Sequence, residues 1–215
     1  MIVNRRNKNR FILEVKIYIP HPALQEYVLN ISTVKAELPP DTDQVVTPYP
    51  PTPLQSLLFY CNDPVSMGRA ADGHFEQQPI TVLTGPQFSR VNIRVHRQLN
   101  AIRVDFLPGG LFRLLGIPMH ELFDGGFDAT HFFGPGLKSL NGQLQQFNNP
   151  DKGKELVENF LLTLLPQFKD AIPFDSALQV LLKNNGSLSI EKTASLACLS
   201  LKQFERKCRE RIGMS

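Results

Sequence analysis

The stretch SIEKTASLACLSLKQFERKCRERIG, residues 189–213, contains two short amphipathic segments separated by three residues. Ser189 and Ser200 each stand where a helix would begin, and serine is a preferred N-cap residue. Gln203 follows Ser200 by three residues, which is the spacing of a capping box. The pattern therefore predicts two consecutive helices, at residues 190–197 and 201–212.

A third helix is predicted immediately before this pair, at residues 175–184. Asp175 is its expected N-cap, and Gly186 is expected to end it. The short connection before Ser200 leaves no room for a hairpin return, so the second and third helices must cross steeply. Three helices arranged in this way form a helix-turn-helix unit.

The last helix separates its residues into two faces. Apolar residues that recur at spacings of three and four are expected to be buried: Leu201, Phe204, Cys208 and Ile212. Charged residues recur at i, i+3, i+4 and i+7 on another face: Lys202, Glu205, Arg206 and Arg209. Basic side chains on a protruding helix can contact guanine edges in the major groove or anchor on phosphates. An ordinary solvated helix with mixed charges is the alternative interpretation.

Residues 187–215 resemble the first helix-turn-helix of the AraC/XylS family of bacterial transcription regulators. The resemblance is carried by the following residues: Ser189-Ile190-Glu191, Ala194, Ser200, Arg206 and Gly213-Met214-Ser215. It implies double-stranded DNA as the partner, with Lys202, Glu205 and Arg206 facing the bases. The complete expected DNA-binding set is Ser189, Ser200, Lys202, Gln203, Glu205, Arg206 and Arg209.

Two residues depart from the family pattern. Cys198 occupies a turn position where glycine is common, so we expect the turn to form there without a positive φ. Cys208 replaces the usual phenylalanine and leaves a smaller side chain in the core. Family members also carry a second helix-turn-helix unit, whereas this sequence stops at Ser215. We therefore expect weak DNA binding, mostly through phosphates.

The earlier part of the chain predicts a β-rich domain. Short segments with alternating apolar residues favour an antiparallel sandwich or barrel: LQSLLFY, ITVLT, VNIRV and AIRVDF. The alternation of Val15, Ile17 and Ile19 predicts another strand. The spacing of apolar residues in HPALQEYVLNI, residues 21–31, predicts a short helix. The proline-dense residues 39–53 are expected to form an ordered loop or a sheet edge.

The segments IPHPALQEYV, TGPQ and VDFLPGGLFRLLGIPMHELFD look like the sensor half of AraC-type regulators. The resemblance implies an α+β protein with an N-terminal cupin-like β-barrel or sandwich and helices behind it. We expect three parts: a sensor domain at 1–115, a helical connector at 116–172 and a truncated helix-turn-helix subdomain at 173–215.

The barrel interior and the connector each leave two interpretations open. An inner face can hold a small-molecule effector or be filled as an ordinary core, and its expected residues are Ile93, Val95, Ile102, Val104 and Phe106. The helix expected at 153–165 is apolar on more than one side. Such a helix either forms a homodimer interface or packs against the barrel.

Charge and cysteine content limit the class of protein. The formal net charge is +3, but residues 1–10 carry +4 and residues 187–215 carry +3, so the middle carries −4. Positive charge at the ends suits a polyanionic partner. No run of eighteen apolar residues occurs, and residues 1–10 lead into no apolar segment with a small-residue cleavage site, so we expect neither a membrane span nor a signal peptide here. The three cysteines fit a reducing compartment better than a disulfide framework, so a cytoplasmic protein is expected.

Enzymatic chemistry finds little support in the residues. The five histidines are scattered and no His-x-His pair occurs, so neither a metal site nor a cofactor is expected. Phosphate-loop, dinucleotide and nucleophile-elbow motifs are missing from the sequence. We expect a regulator with no catalytic residues. The alternative is a cupin-like small-molecule-binding protein or metal-dependent enzyme with a helical tail for protein contacts.

Overall fold

A computed structural model describes residues 12–69, 73–147 and 149–214. The basic run at residues 1–10 and the final Ser215 lie outside the described residues. The described chain is a mixed α+β fold with two antiparallel sheets and six α-helices, in agreement with the expected class. Within it, no helix has the length and apolar character needed to cross a bilayer.

The strands form a six-stranded and a four-stranded sheet. In chain order they are β1 (Ile12–Tyr18), β2 (Val28–Glu37), β3 (Gln44–Tyr49), β4 (Ser56–Tyr60), β5 (Ser66–Arg69), β6 (Glu76–Gln77), β7 (Thr81–Thr84), β8 (Val91–His96), β9 (Gln98–Phe106) and β10 (Gly126–Asp128). The larger sheet has the order β1-β2-β9-β4-β7-β10, and the smaller one has the order β3-β8-β5-β6. All pairs are antiparallel.

The helices follow the strands in the chain. They are α1 (Gly110–Leu115), α2 (Thr130–Phe147), α3 (Pro150–Thr163), α4 (Pro173–Lys183), α5 (Ile190–Leu196) and α6 (Leu201–Arg211). Inside α2 the backbone of Gly134 is not helical (φ 62°), and Pro135 follows it, so this helix is kinked. The last three helices agree closely with the predicted ranges.

Both faces of the larger sheet are covered at its central strand β9. On one face Ile102, Val104 and Phe106 of β9 lie in a core cluster with residues of α1, α2 and α3. On the other face Ala101 of β9 packs with Val95 of the smaller sheet. The expectation that Ile102, Val104 and Phe106 share an inner face with Ile93 and Val95 is therefore wrong. Alternation along β9 is real, but its more apolar side faces the helices.

A helix predicted over residues 21–31 is also wrong. The chain forms a 3-10 turn at Pro22–Leu24 and enters β2 at Val28. Leu24, Val28 and Ile31 are all buried, so their helical spacing reflects burial in two different elements. Pairing of β2 with both β1 and β9 overrides the local pattern.

The broadly apolar helix is α3, and it packs within its own chain. Its buried residues Gly153, Val157 and Leu161 face β2 and β9. A Cβ at Gly153 would lie 2.8 Å from Ile102 Cδ1, so the glycine permits the close approach of helix and sheet. Packing against the sheet therefore accounts for the apolar character of this helix.

A smaller core joins the last three helices. Its buried members are Phe174, Ala177, Leu178, Ala194, Ala197, Phe204 and Cys208. The rings of Phe174 and Phe204 have their centroids 5.1 Å apart. Leu201, expected in the buried stripe, is 40% exposed, because it stands in the first turn of α6, outside this core.

Candidate nucleic-acid interface

Side-chain caps fix the starts of α5 and α6. Ser189 Oγ accepts a hydrogen bond from the Lys192 backbone N–H at 3.2 Å. Ser200 Oγ accepts one from Gln203 N–H at 3.3 Å, and Gln203 Oε1 accepts one in return from Ser200 N–H at 2.9 Å. This is the reciprocal capping box that the sequence predicts. Ser189, Ser200 and Gln203 thus define where the two helices begin.

The turn between α5 and α6 depends on Cys198. Its φ is +57°, in the left-handed region, so the expectation of a turn without a positive φ is wrong. The Cys198 N–H donates to Ser195 O at 3.0 Å, and the Leu199 N–H donates to Ala194 O at 3.0 Å. These bonds satisfy carbonyls at the end of α5 in the manner of a left-handed helix cap. The Cys198 thiol is exposed to solvent.

One face of α6 presents unneutralised positive charge. Lys202, Arg206 and Arg209 are exposed, and none of them makes a hydrogen bond or an ion pair with the residues that the structure describes. Glu205 lies on the same face and is also exposed. Lys207 is different, because its Nζ lies 2.8 Å from Glu210 Oε2. The three free cations and one carboxylate give this face a net charge of +2.

Arg211 belongs to the fold and not to the exposed face. Its guanidinium is buried and binds both carboxylate oxygens of Asp175, at 3.0 and 2.8 Å. It also stacks over the ring of Phe112, 4.4 Å from the centroid. The Asp175 carboxylate accepts the Ile172 N–H at 2.9 Å as well. Because α4 begins at Pro173, Asp175 is the third residue of the helix, and its prediction as N-cap is wrong.

The end of α6 rests on the β-rich part of the chain. Gln55 Nε2 donates to the Ile212 carbonyl at 2.8 Å. Gly213 (φ +91°) is so close to its neighbours that a Cβ there would lie 2.9 Å from Met119 O and 3.0 Å from Pro86 Cγ. These contacts, together with Arg211 on Phe112, hold α6 at a defined position relative to the sheets. Sequence periodicity carries no signal for them.

The loop between β7 and β8, whose Pro86 lies against Gly213, also borders a cavity of about 380 Å³. Its lining residues come from the smaller sheet and three loops: Met67, Gly68, His74, Glu76, Gln87, Ser89, Val91 and Asp124. Asp124 accepts hydrogen bonds from Phe88 N–H, Ser89 N–H and Ser89 Oγ–H at 2.7, 2.9 and 2.6 Å. Its own N–H donates to Pro86 O at 2.9 Å. Asp124 therefore sets the path of this loop.

The space between the sheets holds polar groups as well as apolar ones. Arg103 binds Asp105 Oδ1 at 2.6 Å and Ser56 Oγ at 3.1 Å, and it also donates to the Tyr49 hydroxyl. Ser56 Oγ–H donates to Asp105 Oδ1 at 2.6 Å. Such a network satisfies buried charges and fixes how the strands face each other. Among the described residues, no three His, Cys, Asp or Glu side chains are grouped so that they could hold a metal ion.

Comparison with known proteins gives a family for the chain. The model of a family described as a domain of unknown function, DUF6597, matches residues 16–128. This is more than half of the sequence, so the chain belongs to that family. No curated protein matches the sequence. Among solved structures, the chain is similar to the crystal structure of the AraC-like transcriptional activator CuxR, with a TM-score of 0.34 and 10% identity over 94% of this chain and 82% of that one.

Proposed function

We propose that the chain is a sequence-specific, DNA-binding transcription regulator of the AraC type, acting in the bacterial cytoplasm. The observation that carries the proposal is the face of α6, where Lys202, Arg206 and Arg209 are exposed and make no hydrogen bond or ion pair with any described residue. In the proposed complex, α5 and α6 form a helix-turn-helix and α6 enters the major groove. The capping box at Ser200 fixes the N-terminus of this recognition helix.

Each polar residue of the expected DNA-binding set on α5, α6 and their N-caps has a role in the proposed complex. Lys202 and Arg206 reach base edges, where arginine can donate two hydrogen bonds to guanine. Glu205 accepts from the amino group of cytosine. Arg209, one turn further on, binds a backbone phosphate. Ser189, Ser200 and Gln203 place the helix ends and offer polar atoms at the groove.

The β-rich part is proposed to be the sensor, a cupin-like barrel formed by the two sheets. Its candidate effector site is the cavity bordered by Gln87, Ser89 and Asp124, whose volume lies in the range of small-molecule sites. A ligand there would contact the loop between β7 and β8, which contains Pro86, and Pro86 contacts Gly213 at the end of α6. Two contacts would therefore connect the cavity to the recognition helix: the contact of the ligand with this loop, and the contact of Pro86 with Gly213.

Enrichment of random DNA duplexes tests the proposal. At low salt, where weak binding is still measurable, the wild-type chain is expected to select one motif, and Arg206→Ala is expected to blur it at a few adjacent base pairs by about 1–3 kcal/mol each. Lys152→Ala is the matched control, because Lys152 is an exposed cation on α3. It should leave the motif unchanged. If neither the wild type nor the control enriches any sequence at low salt, the proposal fails.

The salt dependence of binding separates phosphate contacts from base contacts. The slope of log K against log salt is negative, and removing one phosphate contact makes it less steep by about 0.9. We expect Arg209→Ala to make the slope less steep by this amount on every duplex, since its proposed partner is the backbone. Arg206→Ala should instead lower affinity mainly on the selected motif. Fluorescence anisotropy with a selected and an unrelated duplex measures both quantities.

A further inference from the structure

The strand β1 lies at an edge of its sheet, and one of its faces is apolar and exposed. It ends the larger sheet, and β2 is its one partner among the described residues. Leu13, Val15 and Ile17 point to one side of the strand and are 58%, 54% and 72% exposed. Three large apolar side chains in a row, on an edge that no other described strand pairs with, form a surface suited to pairing with another strand.

The register shows that this apolar row continues a covered face of the sheet. Val15 pairs with Val34, Val34 pairs with Ala101, and paired residues lie on the same side of a sheet. Ala101 is buried in the cluster between the two sheets. The smaller sheet thus covers this face over β9 and leaves it open over β1. The apolar row on β1 has the composition of a core, but no described part of the chain covers it.

The opposite side of β1 is fixed by α3. Lys16 Nζ lies 2.7 Å from Asp151 Oδ2, and the Tyr18 hydroxyl donates to Asp151 Oδ1 at 2.8 Å. These bonds keep the pKa of Asp151 below its ordinary value, with the Lys16 hydrogen bond the largest cause. The strand is therefore held in place before any partner arrives, which lowers the entropic cost of association.

The sequence of β1 is complementary to itself when read in the antiparallel direction. With a two-fold axis at Val15, Leu13 of one copy lies opposite Ile17 of the other, and Glu14 lies opposite Lys16. Apolar residues thus meet apolar residues, and opposite charges meet across the axis. A lysine on an edge strand ordinarily discourages pairing, but here each lysine would face a glutamate.

We propose that a second copy of this chain binds at β1, so that two larger sheets join edge to edge in a two-fold symmetric dimer. Such an interface uses the same patch on both subunits, as closed dimers do. Packing of α3 against its own sheet removes the need for a dimer through that helix. The proposal does not depend on DNA binding, and its tests do not use DNA.

Sedimentation equilibrium of the wild type and two variants is the first test. Val15→Arg places two like charges on the two-fold axis and is expected to give a monomer that still unfolds cooperatively, at a temperature that no longer depends on protein concentration. Val46→Arg is the matched control, since Val46 is 48% exposed on β3, an end strand of the smaller sheet. This variant should dimerise like the wild type. A wild type that stays monomeric, or a dimer that survives Val15→Arg, overturns the proposal.

Cross-linking with a short bifunctional maleimide tests the register. The background is Cys198→Ser, because Cys61 and Cys208 are buried, and burial raises the pKa of their thiols to about 12 and about 11. A mixture of Leu13→Cys and Ile17→Cys chains should cross-link, whereas either variant alone should not. Equal cross-linking of the separate variants contradicts the register. A monomer whose β1 outer-edge amides resist hydrogen exchange would show cover by the same chain and also overturn the proposal.

Discussion

Cys198 shows how one residue can carry a backbone conformation that its side chain disfavours. The left-handed region costs a residue with a Cβ about 1–2 kcal/mol relative to glycine, and part of this is offset by the greater freedom of glycine in the unfolded chain. The φ of +57° closes the turn that sets the crossing of α5 and α6. The position of α6 relative to α5 is thus obtained at some cost in stability.

We expect Cys198→Gly to stabilise the protein by about 0.5–1 kcal/mol, because glycine adopts this φ without strain. Urea denaturation followed by far-UV circular dichroism measures the change. Cys198→Ala is the matched control, since it removes the thiol but keeps the Cβ, and it should bring no such gain. Equal midpoints for the two variants would show that the turn is unstrained.

At the residue scale, the sequence predicts those features that depend only on the spacing of residues within one helix. The capping box of Ser200 and Gln203 and the burial of Phe204 and Cys208 follow from the order of residues within one helix. The burial of Arg211 does not, because its carboxylate partner is 36 positions away. A charge count treats this arginine as a surface cation, although the fold uses it as a fixed internal one.

Between elements, the pair of Asp175 and Arg211 joins α4 to the end of α6. Asp175→Asn keeps an oxygen for the Ile172 N–H but leaves the buried guanidinium without a countercharge, so we expect a loss of about 3–5 kcal/mol. The double variant Asp175→Asn with Arg211→Met removes both charges and should recover most of that loss. Denaturant titration of the two variants and the wild type tests this. A double variant as unstable as the single one would show that the charge pair is not the cause.

Asp151 joins β1 to α3 and makes their contact depend on pH. The hydrogen bonds from Lys16 and Tyr18 lower its pKa in the folded state below the ordinary 3.8. The folded state therefore binds its proton less readily than the unfolded state. The resulting stabilisation is complete above this ordinary value and is lost as pH falls through the folded pKa.

We expect Asp151→Asn to cost less than about 1 kcal/mol at pH 7, as for an ion pair open to solvent. The gap between wild type and variant should close below about pH 3.8, as both become neutral at this position. Thermal unfolding at several pH values measures the gap. Glu155→Gln on the same helix is the control, and its difference from the wild type should not show this closure. A gap that persists at low pH would mean that the ionised carboxylate is not what holds the strand.

Elements with a regular period were the ones that could be predicted. Apolar alternation or helical spacing runs through β4, β7, β8, β9 and the last three helices, and it predicts each of them. The short β5 and β6 carry no such period, so the sequence pattern does not predict them. Residues 21–31 misled, because a buried turn and the start of β2 together imitate a helix.

Across the whole molecule, the helical unit and the β-rich part meet through a few specific contacts. Gln55 binds the Ile212 carbonyl, and Gly213 lies against Met119 and Pro86. The exposed face of α6 could be anticipated from the sequence, since it needs only a helical period. Its orientation relative to the sheets could not, because it depends on surfaces that are distant in the chain. The cavity beside Pro86 was hidden for the same reason.

Two glycines with positive φ allow the contact between these parts to be measured. Gly213 (φ +91°) leaves no room for a Cβ beside Met119 O and Pro86, whereas Gly186 (φ +73°) has nothing within 4 Å of the position where a Cβ would lie. Alanine at Gly186 should therefore cost about 1 kcal/mol, from the backbone alone. Alanine at Gly213 should cost about 2–3 kcal/mol, because the collision adds to the same backbone cost.

The difference between these two variants isolates the junction, since the backbone cost is common to both. Chemical denaturation gives the two free energies, and hydrogen exchange at the backbone of α6 shows whether the helix end has moved. If Gly213→Ala costs no more than Gly186→Ala, the end of α6 is not seated on the β-rich part, and the coupling proposed from cavity to recognition helix has no physical path. A larger cost with faster exchange at the end of α6 alone would mean that α6 is seated on the Pro86 loop, and the proposed coupling between the cavity and α6 would then have a physical path through Gly213.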